Sequence, residues 1–165
     1  MKLYIRQKVF SWGDRFTVKD AAGEDRYAVQ GEVLSLGKKL HVYDMSGREA
    51  AFIQQKVLSF LPRFFVYVGG MQAAEIVKDF TLFLPRYRVE GPGWSVEGRF
   101  LAHEYEIKQN GRTVATISKK WMTWGDSYEL DIAGTADEVM ALAAVLAIDA
   151  VMAANSGGSV TVSNN

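Results

Sequence analysis

Between Tyr4 and Ile132 apolar and polar residues alternate in short runs rich in aromatic and β-branched side chains. The runs are 16–19, 26–30, 40–43, 50–54, 64–68, 74–78, 87–90, 94–97, 104–108, 113–118 and 127–132. A period of two puts every second side chain on one face, so most of these runs are read as strands with one buried side. Turn residues stand between them at Gly23, Ser46-Gly47, Gly69-Gly70, Gly91-Pro92-Gly93 and Asn110-Gly111. Asn110-Gly111 is the sharpest signal, because a two-residue type I′ hairpin needs positive φ at both positions.

The pattern changes once. Thr135-Ala-Asp-Glu138 has the form of a capping box, and it precedes Val139–Ala154, which is apolar on every face of a helix. Asp137 and Glu138 suit the positive end of the helix dipole, and Asn155-Ser-Gly-Gly158 supplies the stop. The predicted helix spans 135–154. A helix that is apolar all round must be enclosed all round. The remaining chain offers only strands, so the enclosure is expected to be a closed antiparallel barrel, which also removes exposed sheet edges. Seven alanines within 139–154 keep the helix thin enough for such a lumen. The predicted fold class is therefore all-β with one helix, as a single domain over 1–158, followed by a flexible tail at 159–165.

Length and composition narrow this further. A chain of 165 residues fits one domain, and this size buries roughly 70% of its unfolded surface. The absence of cysteine excludes disulfides, thiolate metal sites and a cysteine nucleophile, and fits a cytoplasmic setting. Nineteen basic residues balance nineteen acidic ones, which argues against bulk nucleic-acid binding. Arg6 and Lys8 interrupt any signal-peptide core. The apolar run from Val139 breaks at Asp149, well short of the ~20 residues that span a bilayer. The expectation is a monomer, soluble without detergent.

Two weak repeats occur. V-x-D-x-x-G appears at 18–23 and 42–47, and Gly47-Arg48 with Ala51, Ile53 and Lys56 matches Gly111-Arg112 with Ala115, Ile117 and Lys120. Both follow either from narrow turn chemistry or from a duplicated half-barrel.

Candidate chemistry is sparse. Gly31 to Lys39 mimics a phosphate loop but has five intervening residues, no Ser or Thr after its first lysine, and a strand rather than a helix behind it. His103 and Glu104 on a strand face opposite ways, and two histidines without cysteine make a poor zinc set. His103, Glu104 and Glu106 are therefore read as solvated strand groups, no metal or cofactor is expected, and no catalytic set is visible. Arg86 and Arg88 share one strand face, and Lys119-Lys120 beside Trp121 and Trp124 pairs basic with aromatic side chains, as a membrane interface does. Asp149 is the odd residue of the helix. A buried carboxylate needs a partner, so Asp149 either fixes the helix in the barrel or belongs to a functional polar pocket.

Three segments carry a family likeness: 41–56, from His41-Val-Tyr-Asp to Gln-Gln-Lys56; 94–121, with Trp94-Ser-Val-Glu-Gly-Arg and Tyr105-Glu-Ile-Lys-Gln-Asn-Gly-Arg; and Tyr128-Glu-Leu-Asp-Ile with the helix and its Ile148-Asp149. On these the chain resembles the LURP-one-related group of the tubby C-terminal-like superfamily, related to phospholipid scramblases. The resemblance implies a barrel of about twelve strands around a buried helix. It also implies a membrane link, since tubby domains bind phosphoinositide head groups and scramblases act on bilayers. The scramblases' cysteine-rich acylation segment is absent, and no acidic loop aligns with their calcium site. Lys38-Lys39 before Leu40 takes a place loosely similar to tubby's lipid-binding basic residues, in a thinner basic run. The expected function is thus a non-catalytic binding or scaffold domain. It would recognise anionic phospholipid, phosphoinositide or a protein partner at the membrane surface through Lys38, Lys39, Arg86, Arg88, Lys119, Lys120, Trp121 and Trp124. The alternatives are a barrel holding a small apolar ligand, a scramblase-like lipid handler, and an enzyme whose distant carboxylates converge.

Overall fold

The computed structural model describes residues 1–6, 15–32, 34–79, 86–123 and 125–156. The eleven alternating runs form strands, and a further strand at Lys2–Arg6 brings the number to twelve among these residues. They are β1 (Lys2–Arg6), β2 (Arg15–Asp20), β3 (Asp25–Gly31), β4 (Lys39–Asp44), β5 (Glu49–Gln55), β6 (Arg63–Val68), β7 (Met71–Asp79), β8 (Arg86–Glu90), β9 (Trp94–Arg99), β10 (Glu104–Gln109), β11 (Arg112–Met122) and β12 (Gly125–Ile132). Each strand pairs antiparallel with its sequence neighbours, and β1 pairs with β12, which closes the barrel. The alternation is literal in β8, where Tyr87 and Val89 are buried and Arg86, Arg88 and Glu90 are exposed. A one-residue slip there would turn the tyrosine and valine to water, so burial itself sets the register.

A twelve-stranded barrel is too wide for its own side chains to fill. The space is taken by α1 (Glu138–Ser156), whose residues from Met140 to Val151 are all buried. It packs most closely on β5, β6, β7 and β12. Small side chains at Ala141, Ala143, Ala144, Ala147 and Ala150 let the walls approach, and Leu142, Leu146 and Ile148 fill the gaps fully buried. The central helix is as the sequence predicts, but its start is not. Asp137, not Thr135, caps it, with Asp137 Oδ1 accepting the Met140 N–H at 2.8 Å. Thr135 is used up in a turn in which the Ala136 N–H donates to the Ala133 carbonyl. Glu138 does not reach back. Its carboxylate accepts the Tyr27 hydroxyl at 2.7 Å and Arg26 Nε at 3.3 Å, which ties the helix start to β3. Burial and that bond push the Tyr27 hydroxyl up to about 12. The described helix ends at Ser156, and 157–165, with the expected tail, lie outside the described residues.

The hairpins explain the first repeat. Asp20 Oδ1 accepts the backbone N–H groups of Ala22 and Glu24, and Asp44 Oδ1 those of Ser46 and Arg48. The closing Gly23 and Gly47 have φ of 83° and 84°. V-x-D-x-x-G is therefore the recipe for one turn used twice. The second repeat lies on β5 and β11, six strands apart in a ring of twelve, with Ala51, Ile53, Ala115 and Ile117 all in the core. Asn110 and Gly111 have φ of 50° and 77°, as their turn requires.

Candidate functional site

The up-and-down topology sorts the connections into two ends. The hairpins at 20–25, 44–49, 68–71, 90–94 and 109–112 share the near end with the start of α1. Of the far-end connections, 32–38, 56–62 and 100–103 are described except for residue 33. The far end carries exposed apolar side chains. Leu34, Leu58 and Phe60 are 97%, 100% and 94% exposed, and Leu36, Val57, Leu101 and Trp121 join them there. Large apolar groups scattered singly on a surface mean little, whereas several gathered at one end call for an explanation. Sequence periodicity did not find these residues, because sidedness is read only inside a regular element. The cue was Leu and Phe among Ser, Gly and Pro in 34–37 and 57–62.

Most of the cations predicted from sequence lie around the same end. Lys38 and Lys39 lead into β4, Arg86 opens β8, and Lys119, Lys120 and Trp121 are exposed near the end of β11. Lys39 is paired with Glu32 at 3.2 Å. Burial holds the Lys38 ammonium below its ordinary value. Arg88 lies farther down its strand, bound to Asp79 at 2.7 Å and Glu90 at 2.8 Å, so its charge is matched locally. Trp124 lies outside the described residues.

His41 fastens one apolar connection to the wall. Its Nδ1 is 2.6 Å from Glu49 and its Nε2 is 2.8 Å from Glu32, at the root of the connection that carries Leu34 and Leu36. Two carboxylates accept only from an imidazolium, which donates from both nitrogens. Partial burial works against the charge, but Glu49 and Glu32 outweigh it and raise the pKa. The clasp's contribution is complete below the unfolded value of about 6.5 and is lost as pH rises through the raised folded value. Wild-type urea midpoints should therefore fall as pH rises from about 6 to 9. His41→Gln should lose that component of the slope, and an unchanged slope in the variant would show that His41 does not carry it.

Beneath the far end lies a polar cluster in the barrel interior. Asp149 is 4% exposed. The Tyr128 hydroxyl donates to its Oδ2, and His103 Nε2 stands 3.4 Å from its Oδ1. His103 stacks on Tyr128, with ring centroids 4.4 Å apart. Phe100 packs edge-on against Tyr87 at 4.7 Å and tilted against Tyr105 at 5.3 Å. Burial, reinforced by the negative Asp149, pushes the hydroxyls of Tyr87, Tyr105 and Tyr128 up. Asp149 Oδ1, the Tyr105 hydroxyl and His103 Nδ1 have no hydrogen-bond partner among the described residues.

The reading of His103 as a solvated strand group is corrected here. It ends a single 3-10 turn, Phe100–Ala102, with φ of 51° and its N–H on the Phe100 carbonyl, and its side chain turns inward. β10 begins only at Glu104, which is exposed and paired with Arg99, so Glu104 does behave as a solvated group. The turn was illegible because Arg99-Phe-Leu-Ala-His103 contains neither Gly nor Pro.

The LURP-one-related family model matches residues 1–149. An uncharacterized protein of Bacillus subtilis (strain 168), YxjI, is 32% identical over 152 residues, covering 92% of this chain and 94% of its own. The X-ray structure of a protein from Arabidopsis thaliana superposes with a TM-score of 0.67 at 16% identity, covering 92% of this chain and 90% of that one. The last likeness speaks to fold alone.

Proposed function

The chain belongs to the LURP-one-related family, and from that premise we propose that it is a non-catalytic domain that docks on anionic phospholipid surfaces with the far end of its barrel. The observation that carries this reading is the gathering of exposed Leu34, Leu36, Val57, Leu58, Phe60, Leu101 and Trp121 at that end, beside Lys38, Lys39, Arg86, Lys119 and Lys120. Apolar tips gain by leaving water for the acyl boundary, and cations beside them gain from anionic head groups, so one face uses both. None of the described helices is long and apolar enough to cross a bilayer, so the contact proposed is peripheral. The lumen is filled by α1, which disfavours a barrel holding a small apolar ligand.

Flotation with vesicles of phosphatidylcholine alone, with phosphatidylserine and with phosphoinositide, at low and high salt, tests the reading. Salt-sensitive binding to the anionic vesicles is expected. Lys119→Ala with Lys120→Ala should weaken it about 30-fold at low salt, at ~1 kcal/mol for each cation near the surface. Leu58→Glu with Phe60→Glu should abolish it at any salt. Absence of binding to every vesicle would reject lipid docking and leave this face to a protein partner.

A further inference from the structure

Leu34 and Leu36 stand on one far-end connection, Leu58 and Phe60 on another, and the two connections are fastened together. Gln55 grips Lys38 twice. The Lys38 N–H donates to Gln55 Oε1 at 3.1 Å, and the Lys38 carbonyl accepts the Gln55 N–H at 2.7 Å. The side-chain amide of Gln55 thus continues the β4–β5 pairing past its last registered pair, Lys39 and Gln54. Gly37 lies so close to the second connection that a Cβ there would stand 3.1 Å from Val57 Cγ2 and 3.3 Å from the Gln55 carbonyl oxygen. Each connection is also closed on itself. Ser35 Oγ donates to the Gly37 carbonyl at 2.7 Å, and the Lys56 N–H donates to the Arg63 carbonyl at 2.9 Å.

Leu58 combines two unfavourable states. It is fully exposed, and its φ of 61° lies in the left-handed region. A leucine there costs free energy in its backbone as well as in its hydration, and such a conformation persists only where the surrounding structure enforces it. The charges beside the tips have one sign. Residues 34–39 and 56–63 contain Lys38, Lys39, Lys56 and Arg63 and no carboxylate. Lys39 and Arg63 are matched from the walls by Glu32 and Glu75, and Lys56 Nζ lies 5.6 Å over the Phe65 ring. Fully exposed apolar tips among cations suit an apolar medium with an anionic skin, which is a bilayer. A protein partner would have to bring a matching groove.

We propose that residues 34–38 and 56–62 form one preformed wedge that carries Leu34, Leu36, Leu58 and Phe60 past the head groups into the acyl region of an anionic bilayer, with Gln55 and Gly37 as its positioning residues. The wedge rests on the docking reading for its target, whereas its rigidity is a property of the free protein. Holding the tips in place before contact removes the ordering cost that two independent loops would incur on insertion. The cations stay at the level of the head groups, and the leucines and Phe60 lie below it.

The chain has no cysteine, so Leu36→Cys and Ser59→Cys each give a unique site for a nitroxide label, and together a labelled pair. In the free protein, electron paramagnetic resonance should give a narrow distance distribution for the pair, unchanged on binding to phosphatidylserine vesicles. On those vesicles each single label should become accessible to oxygen and shielded from a water-soluble nickel chelate. A label at Ser46→Cys, in a near-end hairpin, should stay in water. Gln55→Ala alters none of the tips, yet it should broaden the distribution and weaken vesicle binding about three- to tenfold. Gln55→Glu keeps an oxygen for the Lys38 N–H and should restore the narrow distribution. A broad distribution in the free protein overturns the preformed wedge, with no vesicle needed. Bound protein whose two tip labels remain open to the nickel chelate overturns insertion while docking stands. An unchanged distribution in Gln55→Ala overturns the role of Gln55. Absence of binding to every vesicle rejects docking and insertion together.

Discussion

Leu146→Ala is expected to lower the unfolding free energy by about 2–5 kcal/mol. Leu146 is fully buried on α1, at the axis of the barrel, where the cavity left by truncation is walled by strands on all sides. A closed wall is hydrogen-bonded to itself all the way round, so it cannot collapse inward as an open sheet can. The loss should therefore fall in the upper part of that range. For a domain whose total stability is of order 5–15 kcal/mol this is a large fraction. Urea unfolding should show a lower midpoint with an unchanged slope. Leu58→Ala, at a fully exposed leucine of the far end, is the control and should change stability by less than about 0.5 kcal/mol. Similar losses in the two variants would contradict the enclosure of the helix.

Gly98→Ala should be comparably severe for a different reason. A Cβ at Gly98 would meet the Glu104 carbonyl oxygen at 2.5 Å and the Tyr105 Cα at 2.6 Å, and the residue has φ of +139°. These obstacles are backbone and cannot rotate away. Accommodation must part β9 from β10 at the point where the turn bearing Phe100 and His103 folds inward, at a cost of about 3 kcal/mol or more. Gly93→Ala is the matched comparison. Its φ is also positive, at +69°, but its Cβ would meet nothing within 4 Å, so its cost should be only ~1–2 kcal/mol. Thermal unfolding of the two variants side by side checks this, and equal midpoints would show that the close approach at Gly98 is tolerated. Gly98→Ala should also disturb the ring environment of Tyr105, visible in near-ultraviolet circular dichroism.

The strands and the helix were legible because each is a one-dimensional pattern. Tyr87 and Val89 between Arg86, Arg88 and Glu90 declare a wall with one wet face, and a helix without a wet face declares an interior. From these two facts closure follows almost by necessity. The number of strands came from the family likeness rather than from the pattern. The site was less legible because it is made by juxtaposition. Asp149 was visible as an anomaly, but Tyr87, Tyr105 and Tyr128 read as ordinary inward strand positions, and only the barrel brings them to one carboxylate. His103 was misread because its turn lacks the residues that usually announce one. The helix cap was misplaced by two residues because Thr135 and Asp137 are both good caps, and the choice between them was made by a turn at 133–136 and by Glu138 binding Tyr27 and Arg26.

The position of α1 after all twelve strands has a consequence for how the protein is made. A chain emerging from the ribosome presents its hairpins first, and each of them pairs local neighbours at little entropic cost. Yet β1 must wait for β12, more than a hundred residues later, and none of the strands has its hydrophobic filling until the last segment is synthesised. Until then the nascent sheet is an open strip with an apolar face and two free edges, a form prone to aggregation. The barrel therefore closes only once α1 has been synthesised, however early its hairpins form. A chain stalled before Glu138 is an apolar sheet without a core, a substrate for chaperones rather than a smaller domain.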